Sequence, residues 1–250
     1  MRIACISDIH GNACALDAVL ADVAAERPDA VWCLGDLVGY GPRPNRCTRI
    51  VAAHADICLA GNHDLGVLGT IPISEFSPDA ATSARWTRSV LEPEARDFLA
   101  TLAPERHTTR AELYHASPRD PVWEYVVSAE AATAALAGTE APVVLVGHSH
   151  VALAILERDG RISGGLAPGS RDGDDDGSGE VDLAQGRWLL NPGSVGQPRD
   201  GDPRAAWLLI DFRAGRATFR RTAYDIAQTQ REIRERGLPD GLAKRLELGA

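Results

Sequence analysis

Short apolar runs that stop at glycine-flanked polar turns recur along this chain, alternating with segments whose apolar residues fall at helical spacing. Residues 2–7 are the first such run. Leu16, Val19, Leu20 and Val23 then repeat with the period of an amphipathic helix over 12–25. Apolar runs at 30–35 and 56–60 predict two more strands, with a helix starting near Pro44 between them. Ser77-Pro78 and Glu92-Pro93 divide 78–102 into two helices, because proline fits a first helical turn. Short strands are expected within 105–115, and an alanine-rich helix over 128–137 that Gly138 ends. Strands follow at 141–147, 151–157, 188–190, 205–212 and 217–221. A polar helix over 224–236 and a tail at 238–248 complete the pattern. Alternation of strand and helix first, then strand-rich pairing, implies an α/β layered domain and not a purely doubly wound sheet. With no internal repeat and no linker, residues 1–250 read as a single domain with a helical C-terminal tail at 224–250.

Composition narrows the class. The 250 residues are 44% hydrophobic, enough for a sizeable core, and no stretch approaches the roughly 20 apolar residues of a membrane span. The first strand starts at residue 2, which leaves no room for a signal peptide. Cys5, Cys14, Cys33, Cys47 and Cys58 form no C-x-x-C pair and sit in apolar surroundings, which suggests reduced thiols in a cytoplasmic protein. Asp172, Asp174, Asp175, Asp176, Glu180 and Asp182 account for most of the net charge of −9. An acidic body lacks the broad basic footprint of a duplex nucleic-acid binder. The acidic run imitates a calcium loop but places Leu183 where a bidentate Glu is required, so a flexible, solvated loop is expected at 168–186.

Candidate chemistry collects where the strands stop. RIACISDIHGN (residues 2–12) ends its apolar run at Asp8 and His10. If the backbone there stays extended, their side chains share one side. GDLVGYG (35–41) supplies Asp36, and GNHD (61–64) supplies Asn62, His63 and Asp64. His115 follows a strand near 111–114, and GHSH (147–150) supplies His148 and His150. Singly, an Asp after a strand is more often a helix cap and a lone His a satisfied partial-core residue. Besides His63 and Asp64, seven Asp, Asn and His residues in five strand-end loops point instead to a site beyond the carboxyl ends of a sheet. One metal takes about four to six donors, so seven with one carboxylate shared suit two metals better than one.

In their order, D-x-H, GD, GNHD, a later His and GH-x-H resemble the calcineurin-like metallophosphoesterase superfamily, in particular its small bacterial and archaeal phosphodiesterase-like branch. HASPRDPVWEY (115–125) and NPGSVGQPR (191–199) carry the closer likeness. The resemblance implies a four-layer α-β-β-α sandwich, two mixed β-sheets flanked by helices, holding two divalent ions (Mn or Fe, or else Zn). Asp8, His10 and His150 would hold the first ion, Asn62, His115 and His148 the second, and Asp36 would bridge. Metal-activated hydroxide would then attack phosphorus, with His63 as imidazolium proton donor and Asp64 or a carboxylate not identified from the sequence as its partner.

Where Ser/Thr protein phosphatases carry GD-x-VDRG, this chain has Gly39 and Tyr40, which removes a charged phosphate grip and disfavours protein dephosphorylation. Arg119 and Arg199 are candidate phosphate clamps, since a guanidinium matches phosphate bidentately. Surface ion pairs with Asp120 and Asp200 are the competing reading. NPGSVGQPR is read as a loop lining the site whose backbone N–H groups could form an anion nest, against a purely structural turn. The expected function is hydrolysis of a small phosphoester or nucleotide, more specifically a phosphodiester. The alternatives are a phosphomonoesterase or nucleotide/protein phosphatase, a non-catalytic scaffold of this fold, and, more weakly, a dinuclear amidohydrolase, which would more naturally open with H-x-H. Oligomeric state is left open.

Overall fold

A computed structural model describes residues 1–168 and 179–250. Among them, twelve strands form two mixed sheets of six. The first sheet takes β1 (Arg2–Ile6), β2 (Ala30–Cys33), β3 (Ile57–Cys58), β9 (Gly179–Asp182), β11 (Ala205–Asp211) and β12 (Arg216–Thr222), in the order β3-β2-β1-β11-β12-β9. The second takes β4 (Glu105–His107), β5 (Glu112–Tyr114), β6 (Val143–Leu145), β7 (Ala152–Arg158), β8 (Arg161–Leu166) and β10 (Arg187–Pro192), in the order β4-β5-β6-β10-β7-β8. Each sheet has a parallel stretch, β3-β2-β1 in one and β5-β6-β10 in the other.

The layering follows from alternation along buried strands. Ile3 and Cys5 of β1 face a core shared with Leu113, Leu145 and Leu190 of the second sheet, while Ala4 and Ile6 face a separate core with Leu16, Val19 and Val23. Those three lie on α1 (Ala13–Glu26). A third core places Val144 and Leu189 against Ala132, Ala135 and Leu136 of α6 (Ala129–Ala137). Both sheet faces are therefore covered, as a helix–sheet–sheet–helix sandwich requires. The remaining helices are α2 (Pro44–His54), α3 (Asn62–Leu68), α4 (Pro78–Val90), α5 (Pro93–Ala100), α7 (Ile226–Glu235) and α8 (Asp240–Leu248). None of the described helices is long and apolar enough to cross a membrane.

Three elements depart from the pattern-based expectation. GNHD opens a helix, α3, where only a turn was expected. Strand β8 pairs with β7 from Leu153↔Leu166 to Arg158↔Arg161, although RISGGL has no alternation to announce it. The expected acidic loop at 168–186 falls only partly on described residues. Residues 169–178 lie outside the described residues, and from Gly179 the chain is β9, paired with β12 and followed by a short turn of 3₁₀ helix.

Candidate metal centre

Parallel pairing puts the turns after β1, β2 and β3 side by side, and each fastens the next. The Asp8 and His10 N–H groups donate to the carbonyls of Gly35 and Asp36 at 3.0 and 2.9 Å. These turns are not extended. Asp8, His10, Asp36, His148 and His150 have φ of 54°, 49°, 54°, 63° and 60°, a left-handed conformation that costs L-residues about 1–2 kcal/mol each. The shared side expected of Asp8 and His10 thus comes from a tight reversal and not from strand alternation. Such strain persists only where surrounding bonds over-determine it, as the ladder between these turns does.

The histidine rings are aimed by backbone carbonyls. Nδ1 of His10 lies 3.0 Å from the Val38 carbonyl, that of His115 2.8 Å from Leu34, and that of His150 2.7 Å from Gln197. A carbonyl only accepts, so Nδ1 is assigned the proton and Nε2 turns inward with a free lone pair. Nε2 of His148 has no partner.

The two aspartates divide their oxygens the same way. Asp36 Oδ1 accepts the His63 N–H at 2.8 Å, whereas Oδ2 has no hydrogen bond and lies 3.5 Å from His10 Nε2 and 3.6 Å from His115 Nε2. Asp8 Oδ2 accepts the His148 N–H at 3.1 Å, and its unpartnered Oδ1 lies 3.5 Å from His150 Nε2. Asn62 Oδ1 sits 3.2 Å from His115 Nε2. A Cβ on Gly61 would fall 2.0 Å from Asp36 Oδ1, so only glycine lets that carboxylate rest against the backbone.

Two sets of ligand atoms result, Asp8–His10–Asp36–His150 and Asp36–His115–His148, each within 4.8 Å and all buried. Asp36 belongs to both. Burial holds His10, His148 and His150 well below the usual imidazole range, which favours neutral rings able to ligate a metal. Burial also pushes Asp8 up to about 7, and Asp36 upward with the Asp64 charge adding to it. For carboxylates this desolvated, the nearby Arg199 charge does not offset the cost of burial. His10 and His150 present two lone pairs only 3.0 Å apart. That is repulsive alone, but it is the spacing of two nitrogens at right angles, each about 2.1 Å from one ion. The residues therefore fit a divalent cation, and mixed oxygen and imidazole donors suit Mn, Fe or Zn.

The other sequence candidates separate. His63 reaches the centre, its ring 4.8 Å from His10, 4.4 Å from Tyr40 and 4.7 Å from Phe76. Burial, then Arg199 and His115, push its pKa down to about 3, which disfavours the expected imidazolium. Asp64 does not face the ring as its partner. Its Oδ1 accepts the Leu37 and Val38 N–H groups and its Oδ2 that of Gly61, which ties two ligand loops together. Arg119 is 52% exposed and pairs with Glu124 at 3.5 Å, while Asp120 bonds the Val122 and Trp123 N–H groups. It is not among the charges acting on the ligands. Arg199 is, bearing on Asp8, His10, Asp36, His148 and His150. Its expected competitor Asp200 pairs with Arg221 instead.

NPGSVGQPR lines the centre as a strap, and the expected nest is not formed. The N–H groups of Gly193, Val195, Gly196, Gln197 and Arg199 are already bonded to Asn191, Ser7, Asp8, Ser194 and His150. Sequence reasoning missed Tyr40, Gln197, Phe76 and Tyr125, whose ring lies 4.0 Å from His148. Tyr40 and Gln197 lie inside motifs already singled out, but nothing in their spacing marks them as site residues.

The family model for the calcineurin-like phosphoesterase superfamily domain matches residues 1–215. An uncharacterized protein of Methanocaldococcus jannaschii is 34% identical over 252 residues, covering 99% of this chain and 98% of its own. The crystal structure of a metallophosphoesterase from Sphaerobacter thermophilus superposes with a TM-score of 0.88 at 40% identity, over 100% of this chain and 99% of that one. A symmetrical bis(5'-nucleosyl)-tetraphosphatase of Chromohalobacter salexigens matches locally, 41% identical over 66 residues, 25% of this chain and 24% of its own. The likeness expected from the motif order thus extends over the whole sandwich and its ligand turns. The chain belongs to the calcineurin-like metallophosphoesterases, a family of hydrolases.

Proposed function

We propose that this chain hydrolyses small phosphodiesters at a centre of two divalent ions, Mn or Fe before Zn. Asp8, His10 and His150 hold one ion, Asn62, His115 and His148 the other, and Asp36 bridges. The observation that carries this is Asp36 Oδ2, unpartnered and within 3.6 Å of a histidine Nε2 from each set. When bound, two such ions lower the pKa of water for attack on phosphorus and neutralise charge on the phosphoryl oxygens. The chain's own groups do the rest. Backbone carbonyls hold the His10, His115 and His150 rings, the His63 N–H fixes the bridging carboxylate, and Arg199 offers a guanidinium to the substrate phosphate. His63 presents a neutral ring toward the leaving oxygen.

The preference for diesters follows from charge and depth. Gly39 and Tyr40 contribute no cation, and among the described residues Arg199 is the guanidinium that bears on these side chains, which suits the single charge of a diester. The seven ligand residues are at most 4% exposed, a depth suited to small substrates. The tetraphosphatase relatives act, by their name, on a bis(5'-nucleosyl) tetraphosphate, whose internal linkages are phosphoanhydrides, and a small nucleotide of that kind is the second substrate class to try. All five cysteines are free, which supports the reading of a reducing, cytoplasmic setting, and we read the chain as one domain.

The test is kcat/KM for bis(p-nitrophenyl) phosphate, p-nitrophenyl phosphate, a dinucleoside polyphosphate and a phosphopeptide on one metal-loaded preparation. The expected order places the diester first and the phosphopeptide last. A clear advantage for the phosphopeptide would reverse the assignment.

A further inference from the structure

Several buried polar atoms around this centre lack partners, and most of them separate by sign. Asp8 Oδ1, Asp36 Oδ2 and His148 Nε2 are acceptors, facing where cations would sit, while Gln197 Nε2 and Arg199 Nε are N–H donors. Acceptors without donors call for cations; donors without acceptors call for an anion.

The two donors are locked to each other. Arg199 Nη2 donates to Gln197 Oε1 at 3.0 Å, which fixes the sense of the amide and leaves both hydrogens on the unpartnered Nε2. The same Nη2 reaches Tyr40 Oη at 3.3 Å, and the guanidinium carbon lies 5.7 Å from the centroid of the Tyr40 ring. Tyr40 is itself fixed, its N–H on Ser83 Oγ at 3.1 Å and its ring 4.5 Å from His10. Gln197 is 1% exposed, and its carbonyl aims His150. Among the described residues Arg199 has no carboxylate partner; the neighbouring Asp200 turns its Oδ2 to Arg221 and the Ala152 N–H instead.

We propose that Gln197 Nε2 and Arg199 Nε, held in place by Tyr40, form the donor pair that receives the phosphoryl oxygens of the substrate. This rests on the phosphoesterase reading above and names the groups that recognise its anion. Amide and guanidinium N–H groups already fixed in a buried site need no reorganisation as charge grows on phosphorus. Tyr40 is a positioning residue that acts through Arg199. The guanidinium that GD-x-VDRG sequences carry in their second motif is here delivered from a distant loop and held by the tyrosine standing in that motif.

The test reads binding of inorganic phosphate to the metal-loaded protein by calorimetry, with metal content measured alongside. Gln197→Ala should weaken phosphate about fivefold and Arg199→Ala more than about tenfold, the charged donor being the stronger, with metal content unchanged. Gln197→Glu keeps the size and the Arg199 contact but should weaken phosphate further than Gln197→Ala. Tyr40→Phe should cost about threefold alone and nothing in an Arg199→Ala background, the non-additivity expected of a residue acting through another. An equal cost in both backgrounds would make Tyr40 merely structural and overturn its role. Phosphate affinity within about twofold of the natural chain for both Gln197→Ala and Arg199→Ala would overturn the donor pair. Binding is read without turnover, so the two proposals fail separately. A chain that binds phosphate through these groups but cleaves no ester keeps the donor pair and refutes the phosphodiesterase.

Discussion

At the scale of single residues, Asp36 is the atom pair on which the centre turns. Oδ1 is spent on the His63 N–H, and Oδ2 is left bare between His10 and His115. Asp36→Asn keeps an oxygen for the first task and removes the charge needed for the second. It should lose at least one bound ion per chain and lower kcat by more than about 100-fold, measured by elemental analysis and turnover together. His63→Ala should differ in kind. Both ions should remain while kcat falls about 100-fold, and loss of metal in step with activity would contradict its placement. Arg119→Ala should leave kcat/KM within about twofold, since an exposed pair with Glu124 contributes little. That Asp8, His10, Asp36, Asn62, His115, His148 and His150 gather in one place, with Arg199 beside them, was legible because residue type and order carry the grouping. The Asp64 role was not legible, because a carboxylate beside a histidine looks the same in sequence whether it faces the ring or three backbone N–H groups.

At the scale of elements, Asp64 joins the turn after β2 to the start of α3 through Leu37, Val38 and Gly61. Asp64→Ala strands three buried donors. It should cost about 2–4 kcal/mol and lower Tm by about 5–10 °C, with Asp64→Asn intermediate, as differential scanning calorimetry would show. Most strands and helices could be read from apolar period and proline position, because burial on one or both faces imposes that period. What escaped lacks such a constraint. β8 carries Gly164 and Gly165 within RISGGL and has no fully buried residue, so neither alternation nor branching marks it. α3 is seven residues, too short for a helical period to declare itself. The left-handed turns at Asp8 and His10 escaped for another reason. They are strained conformations enforced by hydrogen bonds that their N–H groups donate to the Gly35 and Asp36 carbonyls, in the turn after β2 and distant in sequence.

At the scale of the whole molecule, two sheets gather the carboxyl ends of β1, β2, β3, β5 and β6 along one edge, and the desolvated carboxylates there make the empty centre unfavourable. Metal binding should therefore stabilise the fold. An ion present at about 100 times its Kd contributes about 2.7 kcal/mol. Mn²⁺ added to chelator-treated protein should raise Tm by several degrees in a scanning melt, and Asp36→Asn should blunt that rise. The most direct measurement of the bridged centre is a crystal structure of protein purified without chelator, with anomalous scattering collected at the metal edges. Two ions about 3.5–4 Å apart, with Asp36 Oδ2 ligating both, is the expected result. A single ion, or two ions with Asp36 ligating neither, would contradict it.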